Sequence, residues 1–421
     1  MKLLFKNKAI LFSNNTYFFQ NPNSLEIIDV LVDRGYEVYM FVETPSFPVP
    51  VKYNFINFLY WKVDFEYPSV NIINFINNFK VYFKSFRFLK IKEFYYRSRI
   101  LITNSFVNIN ILKENLKKIY YYFSLTLFDK NTVVIGFDET GFLMMNELTY
   151  FIKNKKIIYV SHEILFFNET YELNQKIKEL FLKYINKIDL LIIPDSIREE
   201  LLLDSFSNKI NFFNQKKIYI PVGYRDTIAS QTVRKKNYIL YSGSVTEACK
   251  LNTLIELFKN KDESLDYKLH IHSYSKLNNF SSFTNNIIVS DEPITDKDDY
   301  IRFISGFGIA LVLYYPDSDV GSHFGKNILE IGLSSGKLSL FCSQGIPVIF
   351  SPDKTFLKLK NSFDYGEPLW EFSDFFNIIG MIYENYDLYS RESRRLYEEV
   401  LNPVNGLNEF SKYLTRNLFY S

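Results

Sequence analysis

A chain of 421 residues with 47% hydrophobic side chains can fill two or three domain cores, and 49 Lys and Arg against 47 Asp and Glu leave a net charge of +2, too small to draw it towards nucleic acid. Two widely separated cysteines, Cys249 and Cys342, exclude a disulfide framework and a cysteine-based zinc site, and suit a reducing cytoplasm. The 42 Phe and 32 Tyr, with abundant Asn, Ile and Lys, match the codon bias of an A- and T-rich genome, so no single aromatic is read as a stacking site.

The elements follow in chain order. KAILFS, short and apolar, predicts a buried strand, and LEIIDVLVDRG predicts a helix with Ser24 as its N-cap. Leu25, Ile28, Leu31 and Val32 share one face of that helix, and Gly35 stands past its end as the C-cap. EVYMFVE resumes as a strand, completing a βαβ unit and implying a parallel sheet. Between Lys52 and Phe128 the chain is aromatic and basic, with twelve basic residues against four acidic, a local excess of +8. Two readings stand for it: a solvated helical face packed on the first domain, or peripheral contact with an anionic membrane. NTVVIGFD, KKIIYVS, DLLIIPD and KIYIPVG then read as strands separated by helices, one of them from about Asn174 to Ile188.

A polar stretch over residues 223–236 lacks apolar periodicity and is read as a linker. From Asn237 a second set begins: YILYSGS, YKLHIHSYS, NIIVSDE, FGIALVLYY and PVIFSP as strands, with helices between them. The predicted fold is α/β, two Rossmann-like doubly wound domains (residues 1–222 and 237–400) with a central cleft, and residues 401–421 form a helix crossing back to the first domain. Ligands of such sheets sit at the carboxyl ends of the strands. No apolar stretch reaches the ~18–20 residues of a membrane span, and MKLLFKNKAILFSNN carries lysines inside its apolar run and no small-residue cleavage site, which argues against a secretory signal.

The segment SSGKLSLFCSQGIPVIF, Ser334 to Phe350, carries the strongest chemical signal. A helix opening there presents unpaired N–H groups and about half a positive charge to an anion. Ser334 and Ser335 offer hydroxyls, Gly336 lets a phosphate approach the backbone, and Lys337 adds a full charge; the alternative is an ordinary N-cap followed by a surface lysine. His162 and Glu163 follow a strand at the expected cleft edge, where the histidine could hold a proton donor in place; the alternative is a capping or core-edge pair. Asp138, after TVVIGF, is a rival base or a helix cap. Asp317-Ser318-Asp319 has the spacing of a metal-binding pair, but such triplets are common in polar loops; Asp319 and His323 are instead read as overhanging a bound ligand. His270 and His272 alternate on one strand and therefore share a face, with His272 and Ser273, at the strand's carboxyl end, as candidates for touching a bound ligand.

In this order the segments resemble the GT-B glycosyltransferases, especially the group 1, family-four-like bacterial enzymes of surface-polysaccharide assembly. Ser335-Gly336-Lys337-Leu338 followed by Gly345-Ile346-Pro347-Val348-Ile349 looks like the end of their donor domain, where the helix start faces the donor diphosphate. YSGSVTEACKLNTLIELF is similar to the strand, glycine loop and helix that open that domain, with Gly243 matching the loop glycine and Lys250 its phosphate-binding lysine. LEIIDVLVDRGYEV and IIYVSHEI resemble the first helix and the strand ending in His-Glu, which gives His162 a sugar or acceptor contact. Ser244 stands where the family loop usually has arginine, and Leu340 replaces the ribose-binding glutamate, with Gly332 eight residues before it. The resemblance implies a cytoplasmic, metal-independent transferase without cofactor, acting at or near the inner membrane face. It would move a sugar from a nucleoside diphosphate sugar to a glycan or lipid-linked hydroxyl. A nucleotide-sugar epimerase and a non-catalytic GT-B-like partner subunit are the alternatives.

Overall fold

The computed structural model describes residues 7–15, 21–44, 51–54, 56–60, 132–148, 155–162, 164, 172–206, 215–225, 234–243, 249–273, 285–292, 294, 296–316 and 326–419. The basic, aromatic stretch between Lys52 and Phe128 lies outside them, apart from 52–54 and 56–60.

Seven strands form the first sheet: β1 (Lys8–Asn15), β2 (Glu37–Thr44), β3 (Asn57–Tyr60), β4 (Thr132–Phe137), β5 (Lys156–Val160), β6 (Leu190–Ile193) and β7 (Lys216–Tyr219). Their order is β3-β2-β1-β4-β5-β6-β7, and every neighbouring pair is parallel. Six more form the second: β8 (Lys235–Ser242), β9 (Lys268–His272), β10 (Ile287–Ser290), β11 (Phe307–Val312), β12 (Val348–Phe350) and β13 (Gly366–Pro368). They run β10-β9-β8-β11-β12-β13, again all parallel. Parallel strands are covered on both faces, which is why β4 and β11 are continuous apolar runs buried at every position. Two hydrophobic clusters flank each sheet. Strand order reverses between β1 and β4 and between β8 and β11, the two places where such sheets open a crevice at their carboxyl ends.

The first helix, Pro22–Asp33, corrects two expectations. Its N-cap is Asn21, whose Oδ1 accepts the N–H groups of Asn23 (3.0 Å) and Ser24 (3.4 Å), so Ser24 lies in the first turn. Proline at the first helical position fixes φ and has no N–H to satisfy, which sets the start three residues earlier than the apolar pattern suggests. Val32, assigned to the buried face, is 38% exposed, whereas Ile27 and Val30 are buried. A second covering element widens the buried arc to Ile27 and Val30: helix Val404–Phe419 lies against Pro22–Asp33 and β7 and places Leu407, Phe410, Tyr413 and Leu414 in the same core cluster. Gly35 (φ +77) does end the helix; Tyr36 N–H returns to Leu31 O (3.0 Å) and Gly35 N–H to Val32 O (2.8 Å), a Schellman arrangement.

β8 starts at Lys235, inside the stretch read as linker, and residues 226–233 of that stretch lie outside the described ones. β3, β13 and helices Lys354–Lys360, Phe375–Glu384 and Tyr386–Leu396 extend the two lobes beyond the predicted elements. Among the described residues, no helix is long and apolar enough to cross a membrane.

Candidate functional site

On the second lobe, β8 runs into Gly243, whose φ of +136 suits glycine alone and whose N–H donates to His272 O at 3.0 Å. The helix Gly336–Ser343 points its first turn at this glycine. A Cβ on Gly243 would stand 2.4 Å from Lys337 Cε and 2.6 Å from Nζ, so the bare backbone makes room for the lysine. Lys337 Nζ also lies 5.0 Å from the Tyr241 ring centroid and 5.3 Å from that of Tyr314. Two ring faces hold the ammonium at the β8/β11 switch point. No carboxylate among the described residues pairs with it.

Ser335 is the N-cap of this helix and is only 4% exposed. Its Oγ accepts the Leu338 N–H at 3.2 Å and shares a hydrogen bond with Tyr314 Oη at 3.2 Å, so the hydroxyl anchors the turn that carries Lys337. Gly336 is packed against the first lobe on its Cβ side, where a Cβ would stand 3.2 Å from Val222 Cγ1 and 3.5 Å from Pro22 Cδ, so on that side its missing side chain makes room for the lobe contact and not for a phosphate. Lys250 adopts φ +49 at the start of helix Leu251–Lys259 and is half-buried.

The first lobe contributes His162 and Asp138. Asp138 follows β4 with φ +52, rare for a residue with a Cβ, and its Oδ1 accepts the His162 N–H at 2.8 Å. Tying the ends of β4 and β5 together in this way fixes the backbone of His162, which is 5% exposed with its ring against Phe137 (centroids 6.0 Å apart). The His162 carbonyl accepts from Arg198 Nη2 at 3.1 Å and from Ser334 Oγ at 3.4 Å. The second of these contacts joins the lobes: the turn entering the lysine-bearing helix touches the second residue beyond β5.

His270 Nε2 and His272 Nδ1 both lie 2.9 Å from Ser290 Oγ, on one face as their alternation requires. His272 is 1% exposed, its ring packs on Phe303 of helix Lys297–Ser305, and burial lowers its pKa. Ser273 is fully buried, its N–H bonded to Ser290 O at 3.0 Å. Leu340 is 5% exposed and part of the hydrophobic core. Glu163, Ser244, Asp319 and His323 lie outside the described residues. Tyr241, Tyr314, Asp195 and Arg198 were not singled out from the sequence. The capping pattern of Asp195-Ser196-Ile197-Arg198 was readable there; the burial of Arg198 was not.

No family model and no curated protein matches this chain. Solved structures do. Sucrose-phosphate synthase from Thermosynechococcus elongatus aligns over 98% of this chain and 99% of its own, with a TM-score of 0.60 and 12% identity. The N-terminal domain of trehalose-6-phosphate phosphatase from Candida albicans aligns over 100% and 98%, with a TM-score of 0.57 and 12% identity. The pneumococcal O-GlcNAc transferase GtfA, in complex with UDP and GlcNAc, aligns over 72% of this chain at 18% identity and a TM-score of 0.50; the match spans 60% of that longer protein. Likeness at this level, with two sheets in the order found here, establishes the GT-B fold of two Rossmann-like lobes.

Proposed function

We propose that this chain transfers a glycosyl group from a nucleoside diphosphate sugar to an acceptor hydroxyl of a glycan or lipid-linked glycan. The observation that carries the reading is Lys337: a cation held over bare Gly243 by two tyrosine rings, at the first turn of a helix and at a sheet switch point. A diphosphate presents the complementary charge, and the helix N-terminus adds its N–H groups to the same anion. During transfer the bond from the anomeric carbon to the phosphate oxygen breaks, and its electron pair leaves with the diphosphate. Lys337 and the helix dipole stabilise that growing charge more than the ground state, which is what accelerates the step. The acceptor oxygen attacks the anomeric carbon from the first-lobe side and gives up its proton there, where His162 and Asp138 stand after β5 and β4. The UDP and GlcNAc bound to the pneumococcal transferase, and the sugar chemistry of sucrose-phosphate synthase, support this class of donor.

Calorimetry with UDP, GDP and ADP tests the reading directly. One of the three should bind at a single site and raise the melting temperature in proportion to the logarithm of its concentration. If none binds, the diphosphate site does not exist. Leu340 in the place of a ribose-binding carboxylate favours a second reading, a GT-B-like subunit without catalysis. Incubation of the purified chain with matching nucleotide sugars and an acceptor pool separates the two, since only the enzyme releases free nucleoside diphosphate.

A further inference from the structure

We infer that Arg198 is a positioning residue that makes the placement of His162 depend on the seating of the second lobe; the inference rests on the transfer reading above. Arg198 belongs to helix Ser196–Ser205 of the first lobe and is 1% exposed. Its Nη2 donates to His162 O at 3.1 Å and its Nη1 to Glu330 O at 3.3 Å. One rigid planar group therefore spans a carbonyl from each lobe, a geometry that the single ammonium of lysine does not reproduce.

Neighbouring contacts act at the same place. Asp195 caps the helix through the Arg198 N–H at 2.9 Å, and its other oxygen accepts the N–H of Leu333 from the second lobe. Gly332 lies between them with φ +58; a Cβ there would stand 2.5 Å from Asp195 Oδ2 and 2.9 Å from Arg198 Cγ. The segment 330–334 then leads straight into the Ser335 cap and Lys337. Seating this segment fixes the lysine-bearing helix and the His162 carbonyl in one register. Seating the second lobe covers the guanidinium and supplies Glu330 O in place of water, and burying such a group is unfavourable unless its donors find acceptors there. The closed arrangement is thus the one in which Arg198 is satisfied from both sides, and closure becomes a discrete state instead of a gradual approach.

Arg198→Lys and Gly332→Ala test this from opposite sides. In R198K, affinity for the nucleoside diphosphate (UDP, GDP or ADP by calorimetry) should stay within about threefold of wild type, because Gly243, Tyr241, Tyr314 and Lys337 all belong to the second lobe. Its kcat should fall about 10–100-fold. Gly332→Ala should reproduce this split with Arg198 intact, since space and φ both drive the segment off its seat. The double variant should be no worse than the weaker single, because both break one coupling. Wild-type kcat in either variant, or equal losses in nucleotide affinity and kcat, overturns the inference. If R198K does not fold, G332A alone decides it. If wild-type protein binds no nucleotide, the transfer reading fails by itself. Small-angle scattering then still judges the tie: a larger radius of gyration in G332A supports it, and an unchanged one removes it.

Discussion

Lys337→Ala should lower kcat/KM for the sugar donor about 10–100-fold, and weaken nucleoside diphosphate binding by part of that factor, while the melting temperature barely moves. A charge-assisted contact is worth about 1.5–3 kcal/mol, and each ~1.4 kcal/mol is tenfold. Stability is expected to hold because the ammonium rests on ring faces and next to a bare glycine, with no buried counter-charge among the described residues left behind. The division between binding and turnover carries the mechanism: a contact that strengthens as the diphosphate leaves reduces kcat beyond its effect on affinity. Gly243→Ala should mimic the loss with the lysine still present, because a Cβ would stand 2.6 Å from Nζ and the φ of +136 is strained for any side chain. Combining the two should add little, since the alanine at 337 vacates the space in dispute. Wild-type turnover in Lys337→Ala would remove the charge argument and the proposed chemistry with it.

The parts of this site differ in how far residue types alone reveal them. Ser335, Gly336 and Lys337 announce a helix start with a cation, and β1, β4 and β11 announce themselves as short apolar runs because parallel strands are buried on both faces. What Ser335 does with its hydroxyl was not legible: a cap and a phosphate ligand call for the same residue, and only Tyr314 Oη at 3.2 Å and the Leu338 N–H decide it. Tyr241 and Tyr314 gave no signal because their role depends on strands β8 and β11 lying side by side, a pairing between segments some 70 residues apart. Arg198 reads as a solvent-facing residue of a short helix until the second lobe covers it. Ser24 lost the cap to Asn21 through the proline between them, and the burial of Ile27 and Val30 depends on a core shared with a helix almost four hundred residues away. β13, three residues reading GEP, has no periodicity to find.

A second cluster between the lobes predicts how stability responds to pH. Glu26, on the first helix and 3% exposed, meets Arg225 Nε at 2.8 Å, the Arg225 N–H at 3.1 Å, and Lys297 Nζ of the second lobe at 3.5 Å. Lys297 also donates to Arg225 O at 2.9 Å, so the three residues join first helix, connecting segment and second lobe. Burial lifts the Glu26 carboxyl from 4.5 to about 6, against the opposing pull of Lys297 and then Arg225. The folded chain therefore holds this proton more tightly than the unfolded one. Its contribution favours folding fully below pH 4.5 and is lost as pH rises to 6, a change of roughly 2 kcal/mol. Glu26→Gln has no such proton, while Asp353, which burial also lifts to about 6, keeps its own, so the fall in stability measured by urea unfolding from pH 4 to pH 7 should be smaller in the variant than in wild type by about that 2 kcal/mol. Arg225→Met tests the partner. Removing one of two cations from a buried carboxylate should destabilise the fold by about 2–3 kcal/mol at pH 7.5. The penalty should shrink towards pH 5, where Glu26 takes up a proton and needs no counter-charge. An equal penalty at both pH values would assign Arg225 to packing and to its 3.2 Å contact with Asp33. A penalty confined to the higher pH makes the carboxylate the group that Arg225 and Lys297 compensate, and makes the seam between the lobes weakest wherever one of those two cations is missing.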